Sequence, residues 1–231
     1  MRQIFLDTET TGFEFKEGHR IIEFGAVEMV ERKLTGRHLH LYFKPDIAVD
    51  DGAFAVHGIS NEFLADKPLF QDCADELMDF IRGAELIIHN AGFDVPFLNW
   101  ELDLISPNAW GKIEDHCQIL DTLLMARKRH PGQRNSLDAL CKRYFVNNQH
   151  RDLHGALLDA EILADVYLAM TGGQTDMMLE VDDNEFKASQ SSQALAMPQH
   201  LVKMVLNHEQ QQLHQEYLAL LSHKSTREIK W

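Results

Sequence analysis

With 231 residues, 45% of them hydrophobic and 25% charged, the chain is long enough for one α/β domain plus an appendage and has the balance of a soluble globular protein. A net charge of −14 argues against a protein that coats a nucleic-acid duplex unaided, though not against an enzyme that grips a few nucleotides through bound metals and a local basic patch. No apolar run approaches the roughly 20 residues that span a bilayer, no signal-peptide pattern precedes the first strand, and Cys73, Cys117 and Cys141 read as reduced thiols, so a cytoplasmic location without a membrane partner is expected.

The first strand is expected over Arg2 to Gly12. Ile4-Phe5-Leu6 is a continuous apolar run suited to a central strand buried on both faces. It ends in Asp7 and Glu9, two apart and therefore on one face. Unpaired, two such carboxylates would repel, and a divalent cation removes the conflict. Asp-x-Glu recurs at Asp159/Glu161 and Asp183/Glu185, so the spacing alone is weak. Its position after a buried strand and before Thr10-Thr11-Gly12 is what points to metal.

Phe13 to Arg20 reads as a polar loop and Ile21 to Glu31 as a second strand. A third is expected over Arg37 to Lys44, stopped by Pro45, with Lys33-Leu34-Thr35-Gly36 as the hairpin link. Asp46 to Gly58 reads as irregular, and Ser60 as the cap of a short helix through Leu64. Phe70, Ala74, Leu77, Met78 and Ile81 recur at helical spacing and predict a helix over 70–82 ended by Gly83. A fourth strand is expected over Glu85 to His89. A helix follows over Phe93 to Ile105, with Pro96 in its first turn. A fifth strand is expected over His116 to Asp121, and helices over 121–129, 136–144 and 154–170. The chain then turns Gly-, Asp-, Ser- and Gln-rich, a linker composition, and regains partial helical spacing only from Leu201.

Asp94 lies just past the fourth strand, where its plain role is to satisfy a helix dipole. His154 and Asp159 would point about 140° apart if both were helical, and share a site only if His154 sits in the loop entering the helix. Gly155 supplies the freedom for that. Asp7, Glu9, Asp94 and Asp159 together are hard oxygen ligands without sulfur, a set that favours Mg²⁺ or Mn²⁺. Two such ions roughly 4 Å apart can hold a phosphodiester for in-line attack by water, with His154 as the base. Arg127-Lys128-Arg129-His130 and Arg134 form a dense basic cluster that either holds strand phosphates or is a solvated helix end.

Asp7 to Gly12, His89 to Asp94 and His154 to Asp159 resemble the three motifs of the DEDDh 3′→5′ exonucleases, and within that family the proofreading epsilon subunits of bacterial DNA polymerase III. The resemblance covers residues 1 to 173, including Val56-His57-Gly58-Ile59 and Arg134 to Cys141, with Gly92 standing where Ala is expected. It implies an α/β, ribonuclease H-like fold: a five-stranded mixed sheet, its second strand antiparallel, flanked by helices. It implies that Asp7, Glu9, Asp94, Asp159 and His154 are catalytic, the four carboxylates holding two Mg²⁺ or Mn²⁺ ions. Thr10 and Phe13 would flank the terminal base, with His57, His89 and Arg134 as further substrate contacts. Implied partners are DNA 3′ ends, the alpha (polymerase) subunit through a 201–231 tail, a sliding clamp through residues 174–179, and a small theta-like subunit on the 1–173 catalytic domain. Gln174, Met177 and Leu179 would carry the clamp contact within the 174–200 linker, whose plain reading is a polar linker with two exposed Met residues. Two rival functions remain. A stand-alone RNA-trimming exonuclease shares the motifs but lacks such a tail, and a non-catalytic adaptor has no reason to hold four like charges together.

Overall fold

The structure, a computed structural model, describes residues 1–148 and 153–172. The expected linker with Gln174, Met177 and Leu179 and the expected tail over 201–231 lie outside the described residues. The strands are β1 (Arg2–Thr10), β2 (Ile21–Val30), β3 (Lys33–Tyr42), β4 (Glu85–Ile88) and β5 (Gln118–Asp121). The helices are α1 (Asp51–His57), α2 (Asn61–Leu64), α3 (Phe70–Ile81), α4 (Ala91–Leu104), α5 (Thr122–Arg129), α6 (Leu137–Tyr144) and α7 (Ala156–Gly172). The sheet order is β3-β2-β1-β4-β5. β2 is antiparallel to both of its neighbours, while β1, β4 and β5 are parallel, which is the expected mixed sheet.

β1 sits in the middle because its residues are apolar on both faces. Ile4 and Leu6 join Phe24, Ala26, Leu86 and Ile88 beneath α3 and α4. Phe5 faces the other way, with Val27, Met29 and Ile87, against α6 and α7. Ile4, Phe5 and Leu6 are fully buried, each contributing about 1.5–3 kcal/mol of transfer free energy. The same alternation carries on past the apolar run, so Asp7 and Glu9 emerge on the α7 side and Thr8 on the α4 side.

Several expected boundaries move. β3 begins at Lys33, not Arg37, and the hairpin turns at Glu31-Arg32, both in the left-handed region with φ of 49° and 60°. That is the primed turn a twisted hairpin needs, made here without its usual glycine. Gly36 forms a bulge instead: Val27 pairs with His38 and Met29 with Leu34, so three β3 residues stand opposite one of β2. The buried Glu28 pins it, accepting from Thr35 Oγ1, Arg37 and Arg2. Asp46 to Gly58 is not irregular throughout, because α1 lies within it. Only Ala53 and His57 of that helix are buried, too short a pattern to register as periodicity. α4 begins at Ala91, so Pro96 falls in its second turn and removes the bond to the Gly92 carbonyl. β1 ends at Thr10 and β5 begins at Gln118, after a 3-10 turn over Ile113–Asp115.

Candidate active site

A cleft of about 550 Å³ opens at the C-terminal ends of β1 and β4. It is lined by Asp7, Glu9, Asp94 and Asp159 together with His89 and His154, so the three separated sequence segments converge there. The acids come from both layers. Asp7 and Glu9 end β1, Asp159 stands in the first turn of α7, and Asp94 stands in the first turn of α4.

Thr8 joins the layers. Its hydroxyl donates to Asp94 Oδ1 at 2.7 Å, so the residue between the two β1 acids holds the acid from the opposite layer. Asp94 is 3% exposed, and burial pushes its carboxyl up to about 7, against the Thr8 hydrogen bond and with the nearby Asp121 charge adding to the rise. Asp121 itself is engaged in capping, its Oδ1 accepting from the amides of Leu123 and Leu124.

His154 lies two residues before α7, in the loop that its pairing with Asp159 demands. Its Nδ1 is 3.3 Å from Asp159 Oδ2, and one ligand atom each from Glu9, His154 and Asp159 lie within 4.8 Å of one another. Asp159 is only 4% exposed at its side chain, whereas His154 is 43% exposed and open to water. The loop is fixed where the His154 amide donates to the Val56 carbonyl at 3.1 Å, and where Leu153 rests on Gly58, a C-cap at φ 70° that favours glycine. The start of α7 lies directly on β2 at Gly25, where a Cβ would stand 2.1 Å from the Leu157 nitrogen. Gly25 is the cross-strand partner of Asp7, so one missing side chain brings the α7 acid to the β1 acids.

Glu23 is the cross-strand partner of Glu9 and is itself buried. It is satisfied from β3, with His40 Nε2 at 2.7 Å and a hydrogen bond with Tyr42. Burial and the Glu23 charge push the Tyr42 phenol up to about 12. His89 lines the cleft, with its Nδ1 2.9 Å from Thr122 Oγ1, a hydroxyl that also donates to the Ile88 carbonyl.

The remaining sequence-derived residues lie outside the cleft lining. Thr10 is buried, its hydroxyl donating to the Gly12 carbonyl, and Phe13 is 73% exposed. His57 is buried, its Nδ1 accepting from the Ile59 amide, and burial lowers its pKa so that the ring is neutral. The Arg134 carbonyl accepts from Arg143, which fixes the segment before α6. The cleft also takes in Thr8, Phe93, Leu123, Arg127, Gln133 and Asp138, which the motif reading did not single out one by one. The one signal available for Thr8 was strand alternation, which points it away from Asp7 and Glu9.

Residues 4–167 match the exonuclease family. The DNA polymerase III subunit epsilon of Escherichia coli (strain K12) is 55% identical over 206 residues, covering 87% of this chain and 83% of that protein. The DNA polymerase III subunit epsilon of Pasteurella multocida (strain Pm70) is 50% identical over 240 residues, covering 100% of this chain and 93% of that protein. Among solved structures, Exonuclease X in complex with 5′ overhanging duplex DNA superposes with a TM-score of 0.56 at 27% identity, covering 74% of this chain and 90% of the other.

Proposed function

This chain belongs to the exonuclease family and, within it, to the DNA polymerase III epsilon subunits, and on that premise we infer that it is a proofreading 3′→5′ exonuclease that removes mispaired 3′-terminal nucleotides from DNA. The observation that carries the reading is the convergence of four carboxylates from both layers with His154 set against Asp159.

Asp7, Glu9, Asp94 and Asp159 would hold two divalent cations, Mg²⁺ or Mn²⁺, because an all-carboxylate set suits hard ions. The fit is supported by Asp94, since a carboxyl that burial raises to about 7 is one that an adjacent cation would ionise. When bound, such ions supply charge stabilisation to the attacked phosphate and the departing 3′ oxygen. With Nδ1 directed at Asp159, His154 takes the proton of the attacking water at Nε2. Thr8 keeps Asp94 oriented, and the anchored loop over 153–155 keeps His154 on the water side.

Attachment to the replicase fits the charge balance, because an acidic enzyme has little hold on DNA and gains rate at a primer end by being tethered there. The tail over 201–231 would bind the alpha subunit, Gln174, Met177 and Leu179 the sliding clamp, and the 1–173 domain a small theta-like subunit. A cytoplasmic location goes with this role. Among the described residues no helix is long and apolar enough to cross a membrane. The test is degradation of 5′-labelled primers by the full-length chain. Mg²⁺-dependent loss of 3′ nucleotides, faster from mispaired than from matched DNA, is the expected result. Faster trimming of RNA than of mispaired DNA would move the protein to the RNA-trimming class.

A further inference from the structure

Five carboxylates line the cleft (Asp7, Glu9, Asp94, Asp138 and Asp159), and Arg127 is the one Lys or Arg among the described lining residues. Of the basic residues on α5, α6 and the segment between them, Arg127 alone reaches the cleft. Lys128, Arg129, Arg134, Lys142 and Arg143 do not line it. Arg143 is engaged internally, donating to Asn135 Oδ1 and to the Arg134 carbonyl. Arg127 stands one helical turn after Leu123, and both line the cleft, so the i, i+4 face of α5 is the cleft wall. Arg127 is exposed and makes no hydrogen bond or ion pair with the described residues, the cleft carboxylates included. Its guanidinium is therefore not tied to the acidic floor by a direct contact.

We propose that the Arg127 guanidinium binds an internucleotide phosphate on the 5′ side of the scissile one, holding the strand that remains after each cut. This rests on the exonuclease reading above, and chain chemistry then sets which phosphate is met. The nucleotide leaving from a 3′ end carries only the scissile phosphate, which must lie at the carboxylates. A cation on a separate wall can meet only phosphates further along the retained strand. Guanidinium suits the task, since it stays charged at all working pH values and forks onto two phosphate oxygens.

The test compares two substrates of the full-length chain in Mg²⁺: a single-stranded oligodeoxynucleotide, and the p-nitrophenyl ester of thymidine 5′-monophosphate, which has a scissile phosphate and no other. Arg127→Ala should raise KM for the oligonucleotide about tenfold more than KM for the ester, the lower range for a charge-assisted contact at an exposed site. Its salt dependence on the oligonucleotide should be shallower by about 0.7 in log KM per log salt, the worth of one phosphate contact on a single strand. Arg127→Lys should recover part of both, and Arg129→Ala, away from the cleft, should match wild type on both substrates. Equal changes on the two substrates, or no change on either, would overturn the proposal while leaving the exonuclease reading intact. A wild-type chain inactive on both would overturn the exonuclease reading instead.

Discussion

Gly25→Ala is the smallest change that should separate the two halves of the site. An added Cβ would stand 2.1 Å from Leu157 N, 2.2 Å from Ala156 C and 2.4 Å from Leu157 Cα, all backbone atoms that no rotamer change can move. Reaching an ordinary contact of 3.4 Å requires the start of α7 to retreat by 3.4 − 2.1 = 1.3 Å. That start carries Asp159 in its first turn and His154 two residues earlier, while Asp7 and Glu9 stay on β1. A misplacement of about 1 Å among catalytic groups costs on the order of 10²-fold in rate. Overpacking at such a contact costs about 1–3 kcal/mol. Gly25 has no left-handed φ, so a backbone-entropy argument alone would predict a gain of about 0.4–1 kcal/mol for the same change. The two accounts differ in sign. Nucleotide release from single-stranded DNA in Mg²⁺, with urea unfolding of the same preparations, reads both quantities. A variant as stable as wild type with wild-type kcat would refute the claim that this contact sets the site.

Other outcomes follow from the same geometry. His154→Ala should lower kcat by about 10²- to 10⁴-fold and remove the acidic limb of the pH–rate profile, measured on single-stranded DNA. Glu101 is 1% exposed and accepts from Arg20 and from the Ile21 amide, so Glu101→Ala should cost about 1–3 kcal/mol in urea unfolding by taking the acceptor from the buried Ile21 amide and leaving Arg20 with only the exposed Asp46 carboxylate. The Asp94 carboxyl sits above its ordinary 3.8 in the folded chain, so without metal the folded state keeps a proton that the unfolded state has lost between about 4 and about 7. Metal-free stability should therefore fall as pH rises through that window. Asp94→Asn should flatten the dependence, and urea midpoints at pH 5 and pH 8 would show it.

Much of this was legible in the residues. Ile4-Phe5-Leu6 marked the central strand because a strand buried on both faces needs an unbroken apolar run. The carboxylates were legible because two like charges held side by side at the end of a buried strand repel, and a divalent cation removes that conflict. What was hidden depends on contacts between distant segments. Gly25 reads as any strand glycine until α7 is laid across it. Thr8 reads as a linker between two acids until Asp94 arrives from the other layer. Glu31-Arg32 carries no glycine to announce its turn, while Gly36 announces one and makes a bulge. Arg127 could not be picked from its basic neighbours by sequence, because only the direction of α5 decides which of them faces the cleft.

The central claim is that Asp7, Glu9, Asp94 and Asp159 act as one metal-binding unit at the 3′ end of a strand. Anomalous diffraction from crystals of the chain grown with Mn²⁺ and a bound nucleoside monophosphate tests it most directly. Two manganese peaks shared among these four carboxylates, with the nucleotide phosphate between them and both peaks lost in Asp7→Asn, are expected. A single peak, or manganese bound away from Asp94 and Asp159, would contradict the account.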